Sequence, residues 1–440
     1  MQPLRQSVLV SLALLTAASV AIAASEKMLP AVMALTGDIT LDDALELAVE
    51  HNPSLAAARH RVEAADARVF QAGRWANPEL EFEVENFGGG DERHGFESAE
   101  STLLISQSLR IGGKIKRGRE VAESDYAIAG CSWESVELDV RAQTTATFYS
   151  VLTAQERSGL SRELLDLAQS FADTVDARVE AGKVSPVEAT RARMEVAAGR
   201  VQLIRATRGL EVARVRLSAM WGSSTADFRR AIGGLPEPGD RPAWSELQAL
   251  VHETPDMRAL DDLLQRSERV VALEHSFRIP DLTVAAGPRR FSETGQTAWV
   301  AGISLPLPIF DRNQGSRRAA EFELERSRRD VQAAKVEIET GLVSVVQRLD
   351  AAVEVATSME AEVVPAATSA LVAVEIGYTE GKFGFLDVID AQRTLFDARS
   401  ILLDSIAEYA LARVDLERLI GRGLEGLSEN SAAPGEGGSS

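Results

Sequence analysis

From residue 78 to 87 the chain alternates strictly, with Leu80, Phe82 and Val84 in one parity and Glu79, Glu81, Glu83 and Glu85 in the other. Period two marks a strand with two unlike faces, here one apolar and one wholly acidic. The same alternation recurs where Leu103, Ile105, Leu109 and Ile111 oppose Thr102, Ser106, Ser108 and Arg110, and where Trp299, Ala301, Ile303, Leu305 and Leu307 oppose Val300, Gly302, Ser304 and Pro306. Strands are predicted at about 79–86, 102–110, 281–287 and 298–307, with hairpin tips at 88–100 and 289–296. Most of the remaining pattern is helical. Between 314 and 380 apolar positions repeat at alternating spacings of four and three: Ile338, Leu342, Val345, Leu349, Ala352, Ala356, Met359, Val363, Ala366, Ala370 and Ala373. That is a coiled-coil seam, and its alanines allow neighbouring helices to approach closely. Pro365 removes a donor from the ladder inside this helix and is expected to bend it.

The pattern occurs twice. Leu45, Leu55, Val62 and Asn77-Pro78 return 202 positions later as Leu247, Met257, Leu264 and Ile279-Pro280. Ile105, Ser106, Leu109 and Ile111 return after 198 as Ile303, Ser304, Leu307 and Ile309. Gly182-Lys183 and Gly222 return after 199 as Gly381-Lys382 and Gly421. The first unit covers 38–222 and the second 244–421, with a linker or equatorial segment at 223–243. Each reads helix, strand, strand, long helix, tight turn, medium helix: 41–73, 114–181 and 186–221 are helical in the first copy, and 244–277, 314–380 and 386–420 in the second. A 67-residue helix spans about 100 Å, too long for a globular interior. A short helix stacked end to end on a medium one would match its long partner, giving a wall of rods.

Composition narrows the function. The 440 residues carry 66 acids against 47 bases, a formal charge of −19, so a nucleic-acid binder is disfavoured. A single cysteine, Cys131, excludes a disulfide scaffold and a cysteine-built zinc site, and is read as a packing residue. Arg5, an apolar run from Val8 to Ile22 and small residues at 21–24 read as a cleavable export signal over 1–24. No later run reaches eighteen apolar residues, and the Gly-, Ser- and Pro-rich stretch 425–440 reads as a disordered tail.

An exported chain without a membrane helix can still cross a membrane as strands. Runs of eight to ten residues suit a tilted membrane strand, although a periplasmic strand with one wet face shares the alternation. Four strands alone leave two unpaired edges, which lipid does not tolerate. Closure by three copies makes a twelve-stranded barrel with a water-filled lumen, glutamates inward and leucines toward lipid; closure by two gives eight strands and a filled interior. Trp299 suits an interfacial aromatic.

On these residues the chain resembles the TolC-like outer-membrane efflux factors, over roughly 38–421. The resemblance is carried by Gly377-Tyr378-Thr379-Glu380-Gly381 and by Leu386-Asp387-Val388-Ile389-Asp390-Ala391-Gln392. Gln107-Ser108-Leu109-Arg110-Ile111-Gly112-Gly113-Lys114 and the segment Pro306 to Gly315 look most like the heavy-metal, CzcC-like branch. It implies a mainly α protein with a membrane β-barrel, a homotrimer in the cell outer membrane with a periplasmic tunnel. Its implied partners are a periplasmic adaptor (membrane fusion) protein and an inner-membrane, proton-driven efflux pump. It also implies a periplasmic gate at the helix tips, with Glu188, Tyr378, Asp387 and Asp390 at the matching positions and Gly182 and Gly381 at the turns. Asp387 and Asp390 share a helix face and by threefold symmetry would form rings of negative charge. Helix capping explains the same acids. Where family members with a well-described gate carry arginine this chain has Phe383, leaving Lys382 as the candidate gate cation.

Catalytic chemistry is not evident. His51, His60, His94, His252 and His275 form no HxxxH or HExxH pair, and no GxSxG, Walker A or dinucleotide fingerprint occurs, so neither a metal site nor a cofactor is expected. The leading expectation is a passive exit duct for heavy-metal cations. The alternatives are a duct for drugs or secreted polypeptides and a soluble periplasmic coiled-coil scaffold.

Overall fold

A computed structural model describes residues 37–90, 95–226, 228–239 and 241–424. The expected export signal, the C-terminal tail and His94 lie outside the described residues. In the first repeat α1 (Leu41–His51), α2 (Pro53–Ala72), β1 (Glu79–Glu85), β2 (Glu100–Leu109), α3 (Lys114–Glu180) and α4 (Pro186–Ser218) follow one another. In the second the order is α5 (Trp244–His252), α6 (Pro255–Ser276), β3 (Leu282–Phe291), β4 (Thr297–Ser304), α7 (Gln314–Ser358), a π-helical turn Met359–Val363, α8 (Val364–Thr379) and α9 (Phe385–Ile420). No described helix is long and apolar enough to cross a membrane.

The segments 41–73 and 244–277, expected as single helices, each break just before a proline. Pro53 and Pro255 have no amide to continue the ladder and instead open the next helix. Asn52 caps that opening, its side-chain oxygen accepting from the amides of Ser54 and Leu55 at 2.8 and 3.2 Å. The medium helices abut these breaks. The Asn52 amide donates to the Met220 carbonyl at 2.8 Å, and Arg422 beyond α9 lies 3.5 Å from Glu253. End-to-end stacking therefore involves α2 and α6, while α1 and α5 are separate short helices packed on α3 and α9. The segment expected to link the repeats is tied to the first. Ile39 bridges Ala231 in parallel, the Gln155 side-chain amide exchanges two 3.0 Å bonds with the Ala231 backbone, and Arg229 grips Asp38 with two bonds.

The strands form one antiparallel sheet in the order β1-β2-β3-β4, so the two repeats join through β2 and β3. Within the protomer β1 and β4 are edge strands, each paired on one side only. Strand limits shift from expectation in two places. β3 continues to Phe291, taking Arg289 and Arg290 out of the expected loop, and β4 ends at Ser304, ahead of Pro306 and Pro308. The register keeps each parity on one face across all four strands. Leu80, Ile105, Ala286 and Ala301 form one row on one face; Glu83, Thr102, Arg289 and Ala298 form one row on the other. The apolar face is bare: Leu80 is 70%, Phe82 67%, Ile303 77% and Trp299 82% exposed. A patch of this kind is rarely left to water.

Helix α3 runs unbroken for 67 residues, about 100 Å, as the pattern predicts. Its counterpart is interrupted. At Pro365 the ladder lengthens instead of breaking, and the Val364 amide reaches back to the Met359 carbonyl, five residues away. This π turn inserts one residue into the coiled-coil phase. Up to Met359 the expected seam is buried or half-buried, but Val363, Ala366, Ala370 and Ala373 are exposed. The seam continues one position later through Val364, Ala367, Leu371, Val374 and Tyr378, which pack on α9 and α3. Leu371→Ala is therefore expected to cost about 2–5 kcal/mol, read as a lower melting temperature in detergent. An unchanged melting temperature would restore the unshifted seam.

Candidate functional site

Both tight turns are built alike. A helix ends in a glycine at positive φ, +71° at Gly182 and +79° at Gly381, where a side chain would strain the backbone. The lysine that follows bonds back into the helix: Lys183 to the Arg178 carbonyl at 2.9 Å and Lys382 to the Gly377 carbonyl at 2.7 Å. Three residues into each returning helix stands an acid, Glu188 in α4 and Asp387 in α9.

The equivalent acids have different partners. Glu188 accepts a hydrogen bond from the Tyr378 hydroxyl at 3.3 Å, joining the first turn to the second. Asp387 accepts the Gly384 amide at 2.7 Å and so caps its own helix, its side chain otherwise in solvent. Asp390 is exposed, one turn along the same face, with no partner among the described residues. Lys382 pairs with Glu380, two residues away, at 2.6 Å and not with Glu188, Asp387 or Asp390. Phe383 lays its ring against Gly377, leaving no room there for a Cβ.

Tyr378 is 2% exposed. Its ring meets Phe171 edge-on at 5.2 Å, and Phe171 stacks on Phe385 at 5.5 Å. Burial pushes the Tyr378 phenol above its ordinary range and the Glu188 carboxylate adds to this, against the nearby Arg178, so the hydroxyl stays protonated and donates. The residue missed in the sequence is Arg178. From the last turn of α3 its guanidinium lies 4.4 Å from the Tyr378 ring centroid and donates to the Tyr378 carbonyl, at the C-terminal end of α8. A cation there also complements the negative ends of both helices. In the sequence Arg178 is one of many helical arginines, and only the folded pairing of α3 with α8 singles it out.

On the sheet, Glu79, Glu81, Glu83 and Glu85 share one face with Glu100, Thr102 and Arg289. Among the described residues no group of three or more His, Cys, Asp or Glu side chains is placed to hold a metal ion. Cys131 is buried and donates to the Asp262 carboxylate at 3.6 Å.

The family model "outer membrane efflux protein" matches residues 44–223 and 247–422, one match on each helix-strand-strand-helix unit. The chain belongs to the outer membrane efflux protein family. Its place is thus the outer membrane, and the family's role is transport. The cobalt-zinc-cadmium resistance protein CzcC of Cupriavidus metallidurans is 36% identical over 386 residues, 88% of this chain and 91% of that protein. The nickel and cobalt resistance protein CnrC of the same organism is 27% identical over 61% of this chain and 63% of its own length. Among solved structures, a membrane protein from Pseudomonas aeruginosa superposes with a TM-score of 0.77 at 20% identity, covering 89% of this chain and 92% of that one. VceC from Vibrio cholerae gives 0.73 at 19% identity, over 88% and 97%. These likenesses are of fold.

For the tip, Tyr378→Phe removes one hydrogen bond, worth about 0.5–1.5 kcal/mol, while Arg178→Ala removes the carbonyl contact and the ring contact together. Amide exchange of the Gly377–Phe385 segment is expected to accelerate modestly in the first variant and more in the second. Equal rates in both would reduce Arg178 to a bystander.

Proposed function

We propose that the protein is the trimeric outer-membrane duct of a tripartite efflux system that exports heavy-metal cations, receiving them from a periplasmic adaptor and an inner-membrane, proton-driven pump. The observation that carries this reading is the 36% identity to the cobalt-zinc-cadmium resistance protein along nearly the whole of both chains. Charge is consistent with it, since β1 presents four glutamates on one face and α9 presents Asp387 and Asp390 at the tip. In a trimer the glutamates face the lumen, and the tip acids form stacked rings that draw cations and repel anions. The duct is passive and no residue has a catalytic role; the gradient is supplied by the pump. The gate consists of Glu188 and Tyr378 held together, with Asp387 and Asp390 lining the entrance. Gly182 and Gly381 shape its two turns.

Deleting the gene is expected to lower tolerance to cobalt, zinc and cadmium while leaving tolerance to dyes and antibiotics unchanged; the reverse pattern favours a drug duct. In planar bilayers the purified protein is expected to form cation-selective pores. Replacing Asp387 and Asp390 by alanine together is expected to raise conductance or weaken cation preference. Unchanged conductance and selectivity in that variant would leave the two acids as helix caps.

A further inference from the structure

Within β1–β4 the acidic face of the sheet carries one cation, while Arg110, of the same parity, follows β2 at the helix end. Arg289 of β3 spans three strands: its Nε donates to Thr102 Oγ1 at 2.9 Å, Nη1 lies 3.2 Å from Glu100, and Nη2 lies 3.3 Å from Glu85 of β1. Arg290, its neighbour, has the opposite parity and lies exposed on the apolar face with Ser101 and Thr297. Glu79, Glu81 and Glu83 have no partner among the described residues.

Position matters as much as pairing. The register places Arg289 in the Glu83 and Thr102 row, next to the hairpin-tip end of the sheet, whereas Glu79 shares a row with Ser106, Ala285 and Gly302 near the helices. Rows on one face repeat about every 6.7 Å, so the Glu79 row lies about 13 Å from Arg289, beyond a Debye length of about 8 Å at physiological ionic strength. The guanidinium therefore offsets one of the two charges of Glu85 and Glu100 and leaves Glu79 at full strength. As partly exposed ion pairs these contacts are weakened by solvent and salt, so their main effect is on the local field.

We propose that Arg289 is a selectivity-setting residue of the duct. It lowers the negative charge of the hairpin-tip rows, where Glu83, Glu85 and Glu100 stand, so that cations drawn in are released there rather than retained. Conduction needs attraction strong enough for entry and weak enough for exit, and one arginine per protomer supplies the second condition. The inference rests on the glutamate face being the lumen.

The test is the reversal potential of single pores in a potassium chloride gradient. Arg289→Gln is expected to shift it toward the potassium equilibrium potential, Arg289→Lys to leave it near wild type, and Glu85→Gln with Glu100→Gln to shift it toward chloride. Arg289→Gln pores with wild-type conductance and an unshifted potential would overturn the inference. If Arg289→Gln does not insert, the Glu85 and Glu100 double variant decides: a shift toward chloride supports the role and no shift overturns it. Replacing Glu79, Glu81 and Glu83 by glutamine tests the underlying reading separately. No shift there places the glutamates outside the lumen and removes the inference with it, whereas a shift there without one in Arg289→Gln removes the inference alone.

Discussion

Edge strands β1 and β4 each leave one row of backbone amides and carbonyls unpaired, while the same sheet exposes Leu80, Phe82, Ile303 and Trp299 on one face. Water tolerates the open edges but not the apolar face; hydrocarbon tolerates the face but not the edges, since each unsatisfied polar group there costs several kcal/mol. Only further copies of the sheet inside a bilayer meet both demands. The rest of the molecule inherits this condition. β2 passes into α3 through four residues, from Leu109 to Lys114, and β4 into α7 through nine, from Ser304 to Gln314. A closed ring of strands therefore fixes a ring of rods beneath it.

At the far end of those rods the duplication has been turned to unequal use. Equivalent positions became Glu188, which reaches across to Tyr378, and Asp387, which caps its own helix. The cation beside Tyr378 comes from α3 rather than from the turn, where Phe383 packs on Gly377 and Lys382 is engaged by Glu380. Within one protomer, then, the two tips are joined by a buried aromatic cluster, one hydroxyl and one guanidinium.

Much of this was legible in the chain. The repeat, the long helices and the two faces of the strands follow from periodicity, while Glu188 and Tyr378 are singled out by the family resemblance alone. Three features were not. The apolar pattern continues across Pro53 and Pro255 and hides the breaks there, although an asparagine or threonine before proline is a sound start signal. The phase slip at Met359–Val363 was invisible because both phases are apolar: Val363 and Val364, Ala366 and Ala367, Ala370 and Leu371, Ala373 and Val374 are adjacent pairs. Hydrophobicity cannot choose between them; the backbone bond from Val364 to Met359 does. Arg178 and Arg289 owe their roles to partners 200 and 189 positions away in the chain, Tyr378 and Glu100 among them, which local pattern does not encode.

Copy number in the bilayer-extracted protein bears most directly on the free-edge constraint. Native mass measurement of the detergent-solubilised protein is expected to give three copies of the chain, completing a ring of twelve strands. A single copy, soluble without detergent and keeping its sheet, would show that the edges and the apolar face need no closure, and would contradict the duct.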